Sequence, residues 1–541
     1  MSSVPPPVFH RDPSRDGVIN RVQGFFLTRF GWFWRLIARW PWAAKWLNHR
    51  LIHAACKRAP RRPYPLSTMH ASDFTSWDSL SDKTWNGRHL PPMPRDEVAD
   101  LPTLRKVAEL FVRPAGGFVE CPKSTTLFPA FAQWLTDGFL RTESTDFNRN
   151  HSAHQIDASQ LYGERPGVTR QLRTLVGGRL KTQSINGEEY APYLFKTGIR
   201  PRVKNDGLND VPDPLRFDDR FPLERQDALF AFGGERANTT PQTAMINTLF
   251  LREHNRIAAE LAAAESSWDD ERLFQTARNV VIVLVIKIAV EDYINHISPF
   301  RFRLRADPSV AWTAAWNKPN WMTAEFNLLY RWHSLVPDAA AWPTGEVAGV
   351  EGIYNNRLLT EVGLGRAVAA CSAQPAGRIG LFNTPRFLLP TEEASVRQGR
   401  EVRLRSYNDY RELVGYPRVD RFEQITGDPT RLAALKELYG DVNRVEFYVG
   451  LFAEDSRPTA AVPALIGRLV ALDALSQAFA NPLLAELMFN DQTFGKAGMA
   501  IIGVTSSLQD LVNRNTTGGP YAATFTRSNR GPKPTIFGPP I

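Results

Sequence analysis

The chain has 541 residues, 43% of them hydrophobic, enough to bury a large core in one domain or several. Residues 1–62 hold twelve Lys and Arg against two Asp, an excess greater than the net charge of +9 of the whole chain. The charge is therefore a local arm on a nearly neutral body, and a nucleic-acid partner would leave unexplained the aromatics that accompany it. Cys56, Cys121 and Cys371 show no metal-like spacing, argue against a disulfide-stapled fold and point to a reducing compartment.

In chain order, the start to Asp16 is rich in Pro and Ser and reads as a loosely ordered segment without the basic-then-apolar pattern of a signal peptide. Phe25, Phe26, Phe30, Trp32, Phe33, Trp34, Trp40, Trp42 and Trp46 follow, interleaved with Arg29, Arg35, Arg39 and Lys45, and Pro41 breaks the stretch into short helices. Five tryptophans among fifteen residues, set between cations, suit the headgroup layer of an anionic bilayer. The competing reading is a core helix whose aromatics pack on the domain. Residues 242–262 and 270–297 carry apolar residues at the helical period. The apolar run near Val280–Val290 is broken by Lys287 and reads as a buried helix too short to span a bilayer. In residues 324–338 a helix would place Phe326, Leu329, Tyr330 and His333 on one face, a phenol and an imidazole one turn apart. An imidazole there is a candidate haem ligand, although a histidine on an apolar face is more often a core residue. Beyond Thr516 the chain is again rich in Pro, Gly and Ser. These elements predict a membrane-binding segment over 1–62, one mainly α catalytic domain over 63–515 and a loose tail over 516–541.

Tyr330-Arg331-Trp332-His333, with Thr248-Leu249-Phe250-Leu251-Arg252-Glu253-His254-Asn255-Arg256, Glu291-Asp292-Tyr293 and Tyr439-Gly440-Asp441 at consistent spacing, carries a resemblance. Residues 15–515 resemble the cyclooxygenases (prostaglandin-endoperoxide synthases) of the animal haem peroxidase superfamily, without their growth-factor-like module. The resemblance implies a non-covalent haem b with His333 as proximal iron ligand and Trp332 beside it. It makes Tyr330 the radical that attacks a fatty acid, with Tyr293 hydrogen-bonded to it. It also implies a monotopic membrane attachment, expected on the cytoplasmic side, and leaves a homodimer open.

Phe131–Phe139 resembles the distal helix of the family. Gln133 is present there, but Asp137 stands where a histidine is expected. Peroxide cleavage needs a group that takes and returns a proton; imidazole, with a pKa of about 6.5, is poised for both, whereas a carboxylate near about 3.9 is a poorer base. Burial can raise Asp137 toward a useful value; the alternative is that peroxidase function has decayed. His151 and His154 are the only nearby histidines. Gly233–Thr239 resembles the segment with the distal arginine of the mammalian peroxidases, which puts Arg236 over the iron. Thr136 and Thr239 match the acidic residues that esterify haem in those enzymes, so a covalent link is not expected. Gly138, Asp157 and Ser159 fall on their calcium positions, half a hard-cation site, and calcium is not predicted from that.

By the same resemblance Arg58 meets the substrate carboxylate, with Arg61 and Arg62 as alternatives. Phe300 replaces the tyrosine at the channel gate, and Ala474 replaces the serine that aspirin acetylates. The function expected is haem-dependent oxygenation of an unsaturated fatty acid with O2, giving a hydroperoxide or endoperoxide. Two alternatives stay open: a haem peroxidase or fatty-acid hydroperoxide isomerase, and a membrane-attached haem protein without catalysis.

Overall fold

The computed structural model describes Leu27 and residues 29–57, 84–215, 221–319, 321–457 and 460–527. It is mainly helical, as expected; the sheets among the described residues are three two-stranded antiparallel ribbons. At the centre lies α4 (Pro241–Ala264), buried along most of its length. Its start is fixed by Pro241 at the first position and by Thr240, whose hydroxyl accepts the Thr243 N–H. Against α4 pack α3 (Leu127–Asp137), α5 (Asp270–Ile288) and α10 (Asp491–Val504). Trp134 of α3 stacks on Phe250 of α4 at 4.2 Å and donates its indole N–H to Asn247 at 2.9 Å. In α10 the chain turns at Gly495 (φ +70°), a left-handed conformation that favours glycine.

The helical stretch 270–297 corrects the length argument made from sequence. It is long and apolar enough to cross a membrane. What fixes its place is burial: it is wedged between α4 and α10, and Lys287 donates to the Ile502 carbonyl at 2.6 Å. The stretch is also not a uniform α-helix. Residues Ala289–Ile294 form a π-helical turn, and Tyr293 sits on it.

At the N-terminal end α1 (Gly31–Ile37) and α2 (Pro41–Lys57) are separated at Pro41, as predicted. The side chains of α2 at Asn48, Ile52 and Cys56, four apart, are buried, and this face packs on α9 (Ala464–Phe479). Asn48 exchanges two hydrogen bonds with the Arg305 backbone. Trp34 is buried edge-on against Phe302, so the core-packing reading holds for that tryptophan. Trp32, Trp40, Trp42 and Trp46 are exposed.

Residues 516–527, expected to begin a loose tail, pack instead on β1 (Glu120–Thr125), through a bridge between Ser124 and Thr526. They insert Phe525 between Phe131 and Tyr293. One buried aromatic outweighs the turn-forming composition around it. The expected boundary at residue 62 lies outside the described residues.

Candidate active site

The segment carrying Tyr330 and His333 departs from the expected continuous helix. α6 (Ala324–Leu329) is capped by Thr323, whose hydroxyl accepts the Phe326 N–H, and ends at Tyr330. A tight turn follows, closed by the Trp332 N–H on the Tyr330 carbonyl at 3.0 Å, and His333–Leu335 form a separate 3-10 turn. The freed carbonyl of Arg331 lies 3.3 Å from the Tyr448 hydroxyl, which it shares with the Glu392 carboxylate at 2.7 Å. Tyr330 and His333 are thus placed by two turns and not by one helix face.

Around Tyr330 the wall is aromatic. Its ring stacks on Trp332 at 4.8 Å and meets Phe326 edge-on at 4.9 Å. Its phenol and that of Tyr293, carried on the π turn, are within electrostatic reach of one another, although the buried Tyr293 hydroxyl makes no hydrogen bond of good geometry. Burial pushes both phenols well above their ordinary pKa, so both hold their protons at neutral pH. Below Tyr330, Asp473 of α9 forms a buried ion pair with His89, at 2.9 Å.

On the other side, Gln133 and Asp137 share one face of α3. Arg236 Nε lies 3.2 Å from Asp137 Oδ1, and its guanidinium donates to the Leu140 carbonyl. The glycines before Arg236 explain its position. A Cβ on Gly233 would stand 1.9 Å from the Gly163 nitrogen, so only glycine lets this strand lie on residues 160–163. Burial raises Asp137 to about 6, although Arg236 pulls it down. His151 pairs with Glu143 at the surface, and His154 Nδ1 accepts the Met322 N–H; neither takes the expected histidine's place.

Six buried polar atoms of these residues have no hydrogen-bond partner: Asp137 Oδ2, Arg236 Nε, the Tyr293 hydroxyl, Arg331 Nε, Trp332 Nε1 and His333 Nδ1. Arg331 is within electrostatic reach of Asp137 on one side and Glu392 on the other. His333 buries Nδ1 while its side chain keeps 16% of its surface open. Orphaned polar atoms and a half-open imidazole are what an inserted prosthetic group would complete, and the residues present fit a haem. Thr136 and Thr239 turn their hydroxyls back to the Ala132 and Arg236 carbonyls.

At the corner formed by Gly138, Asp157 and Ser159, Asp157 accepts the Ser159 N–H at 2.8 Å and Ser159 donates to the Gly138 carbonyl. Arg141 stands there between Glu164 and Glu235, 3.0 Å from each. Its guanidinium is a fixed positive charge in that corner.

Phe300 is partly exposed just beyond the π turn, two residues before the Phe302 that contacts Trp34. Ala474 is half-buried on α9. Arg58, Arg61 and Arg62 lie outside the described residues. Helix α9 connects these places: it packs on α2, on the π turn with Tyr293 and on α6. The Thr248–Arg256 motif has a structural task. Buried His254 bridges the Tyr162 hydroxyl and the Gly178 carbonyl, and Glu253 binds Arg256 and Arg514.

Sequence reading missed Glu392, Arg331 and the Arg141 corner. For Glu392 a signal existed: it stands three residues after Leu389 and four before Val396, a charge on the buried stripe of α7 (Leu389–Glu401).

A pocket of this make-up belongs to a haem oxidoreductase. The sequence pattern described as animal haem peroxidase matches residues 139–347 and 381–524, and the chain belongs to that family. It is 32% identical to prostaglandin G/H synthase 2 of Equus caballus over 513 residues, covering 92% of this chain and 81% of that protein. To prostaglandin G/H synthase 1 of Rattus norvegicus it is 31% identical over 529 residues, covering 95% and 84%. Among solved structures, the fatty acid alpha-dioxygenase of Oryza sativa matches with a TM-score of 0.65 at 19% identity, covering 80% of this chain and 81% of that one. Peroxidase A of Dictyostelium discoideum matches with a TM-score of 0.64 at 19% identity, covering 82% and 96%. At these identities the structural likeness is one of fold. The protein is an oxidoreductase, and its cofactor is haem b held without a covalent bond.

Proposed function

We propose that this protein oxygenates an unsaturated fatty acid with O2, through a radical on Tyr330, and releases a hydroperoxide or endoperoxide. The observation that carries the reading is the buried Tyr330–Tyr293 phenol pair. It lies where α9, coming from the exposed tryptophans of α2, meets α6 and the π turn. Names among the relatives agree with it: prostaglandin G/H synthase by sequence and fatty acid alpha-dioxygenase by fold.

In this reading the haem, when bound, supplies the one-electron oxidation of the Tyr330 phenol. His333 holds the iron. The Tyr330 proton leaves toward its hydrogen-bonding surroundings, with Tyr293 fixing the orientation of the phenol oxygen. The phenoxyl oxygen then takes a hydrogen atom from the acyl chain, O2 adds to the carbon radical, and the peroxyl group recovers a hydrogen atom from Tyr330. The net change is R–H + O2 to ROOH. The rings of Trp332 and Phe128, stacked on one another, and of Phe326, edge-on to Tyr330, keep water from the radical. The acid's carboxylate is met at the anchor end by Arg58, Arg61 or Arg62. Gln133, Asp137 and Arg236 serve the peroxide side. Asp137, with a pKa of about 6, can take and return a proton near neutral pH.

The exposed tryptophans with Arg35, Arg39 and Lys45 support peripheral membrane attachment, which would deliver the substrate to α9. A second reading is favoured by the Asp137–Arg236 pair: a peroxidase or hydroperoxide isomerase acting on a preformed peroxide. Incubating haem-loaded protein with a panel of fatty acids and of their hydroperoxides, followed by mass spectrometry, separates the two. Oxygenated product from the acids supports the first reading, and conversion of the hydroperoxides alone supports the second.

A further inference from the structure

Several buried carboxylates in this protein are held by arginine: Glu446 by Arg400 through two hydrogen bonds, Glu454 by Arg411, and Glu253 by Arg256 and Arg514. Others are not: Glu325 accepts two backbone N–H groups and the Tyr410 hydroxyl, and Asp473 pairs with His89. Glu392 belongs to the second group. It is 1% exposed, yet among the described residues its ion-pair partner is a histidine: Oε1 stands 3.1 Å from His333 Nδ1. Two neutral donors fix the carboxylate from behind. Thr384 donates to Oε1 and the Tyr448 hydroxyl to Oε2, both at 2.7 Å. With two hydroxyls bonded to it and Arg331 only within electrostatic reach, a buried carboxylate is under-satisfied unless another donor completes it. The imidazole N–H is near enough but out of line for a hydrogen bond, and Nδ1 has no other partner.

We propose that Glu392 is the positioning residue of His333. It accepts the Nδ1 proton, fixes the tautomer, and so aims the Nε2 lone pair into the cavity as an electron-rich ligand. The inference rests on the reading of His333 as the iron ligand and adds what that reading lacks, the group that sets how strongly His333 donates. A carboxylate behind the imidazole favours the ferric over the ferrous state. Tyr448 moderates it: its one O–H proton goes to Glu392 at 2.7 Å, and its oxygen stands 3.3 Å from the Arg331 carbonyl at the chain break. Tyr330 and His333 are therefore held in place by one shared network.

The test uses the haem-loaded full chain. In Glu392→Gln the ferric–ferrous midpoint potential rises, the ferrous iron–histidine stretching frequency falls in resonance Raman, and haem is lost about 10- to 100-fold faster to a scavenger. In Tyr448→Phe, which leaves the carboxylate with one donor fewer, the potential moves the opposite way. Wild-type potential and stretch in both variants would overturn the proposal. If Glu392→Gln does not fold, Tyr448→Phe decides alone, and an unchanged potential rejects it. His333→Ala separates the levels. If it keeps the wild-type haem spectrum, the axial assignment fails and this proposal with it. If it loses that spectrum while Glu392→Gln changes nothing, only the role of Glu392 fails.

Discussion

The Asp137 carboxylate and the Arg236 guanidinium form an ion pair at 3.2 Å, brought together from α3 and from the turn after Gly233–Gly234. Burial nevertheless keeps Asp137 at about 6. The carboxylate form, which can accept a proton from peroxide, is populated above that pH. Peroxide consumption with a small phenol should therefore rise through about pH 6 and then level off. Asp137→Asn should lose this limb and about two to four powers of ten in rate. Asp137→His should keep a limb governed by imidazole and recover part of the rate. Stopped-flow peroxide decay across pH in the three proteins checks this.

The same shift has a consequence for stability. Between about pH 4 and pH 6 the folded chain keeps a proton on Asp137 that the unfolded chain has released, because the folded pKa is the higher. Its stabilising contribution is present at low pH and is lost as pH rises through the folded value. Thermal melts of the apoprotein should show this slope in wild type and a flatter one in Asp137→Asn.

The His89–Asp473 pair lies almost fully buried beside Tyr330, with side-chain exposures of 0% and 4%. Removing His89 takes a close partner from a buried carboxylate, so His89→Ala should cost up to about 3–5 kcal/mol. Urea unfolding measures it; a change under 1 kcal/mol would mean that the pair is dispensable.

Trp42 and Trp46 of α2 are 74% and 61% exposed, whereas Asn48, Ile52 and Cys56 of the same helix are buried. Replacing both by Ala should leave the melting temperature within a degree or two and weaken binding to anionic vesicles at least tenfold. Co-sedimentation in low and high salt reads the aromatic and the cationic contributions separately.

Much of this was legible in the sequence. The long helices follow from their 3.6-residue period, and the pocket residues from segments matched one by one. The break after Tyr330 was not legible. It depends on a carbonyl partner, Tyr448, more than a hundred residues away, which no local pattern encodes. The π turn under Tyr293 and the insertion of Phe525 have the same character: long-range packing overrides local preference. Glu392 shows the limit from the other side. Its place on the buried stripe of α7 was visible, but its partner at His333 appears only once the chain is folded.

The central claim is that Tyr330 carries out haem-dependent oxygenation of a fatty acid. Haem-loaded wild type and Tyr330→Phe, each given an unsaturated fatty acid under 18O2, test it most directly. The account predicts an 18O-labelled hydroperoxide or endoperoxide from wild type and none above background from Tyr330→Phe, while the haem spectrum stays the same in both. Labelled product at equal yield from Tyr330→Phe, or none from wild type with haem bound, would contradict it.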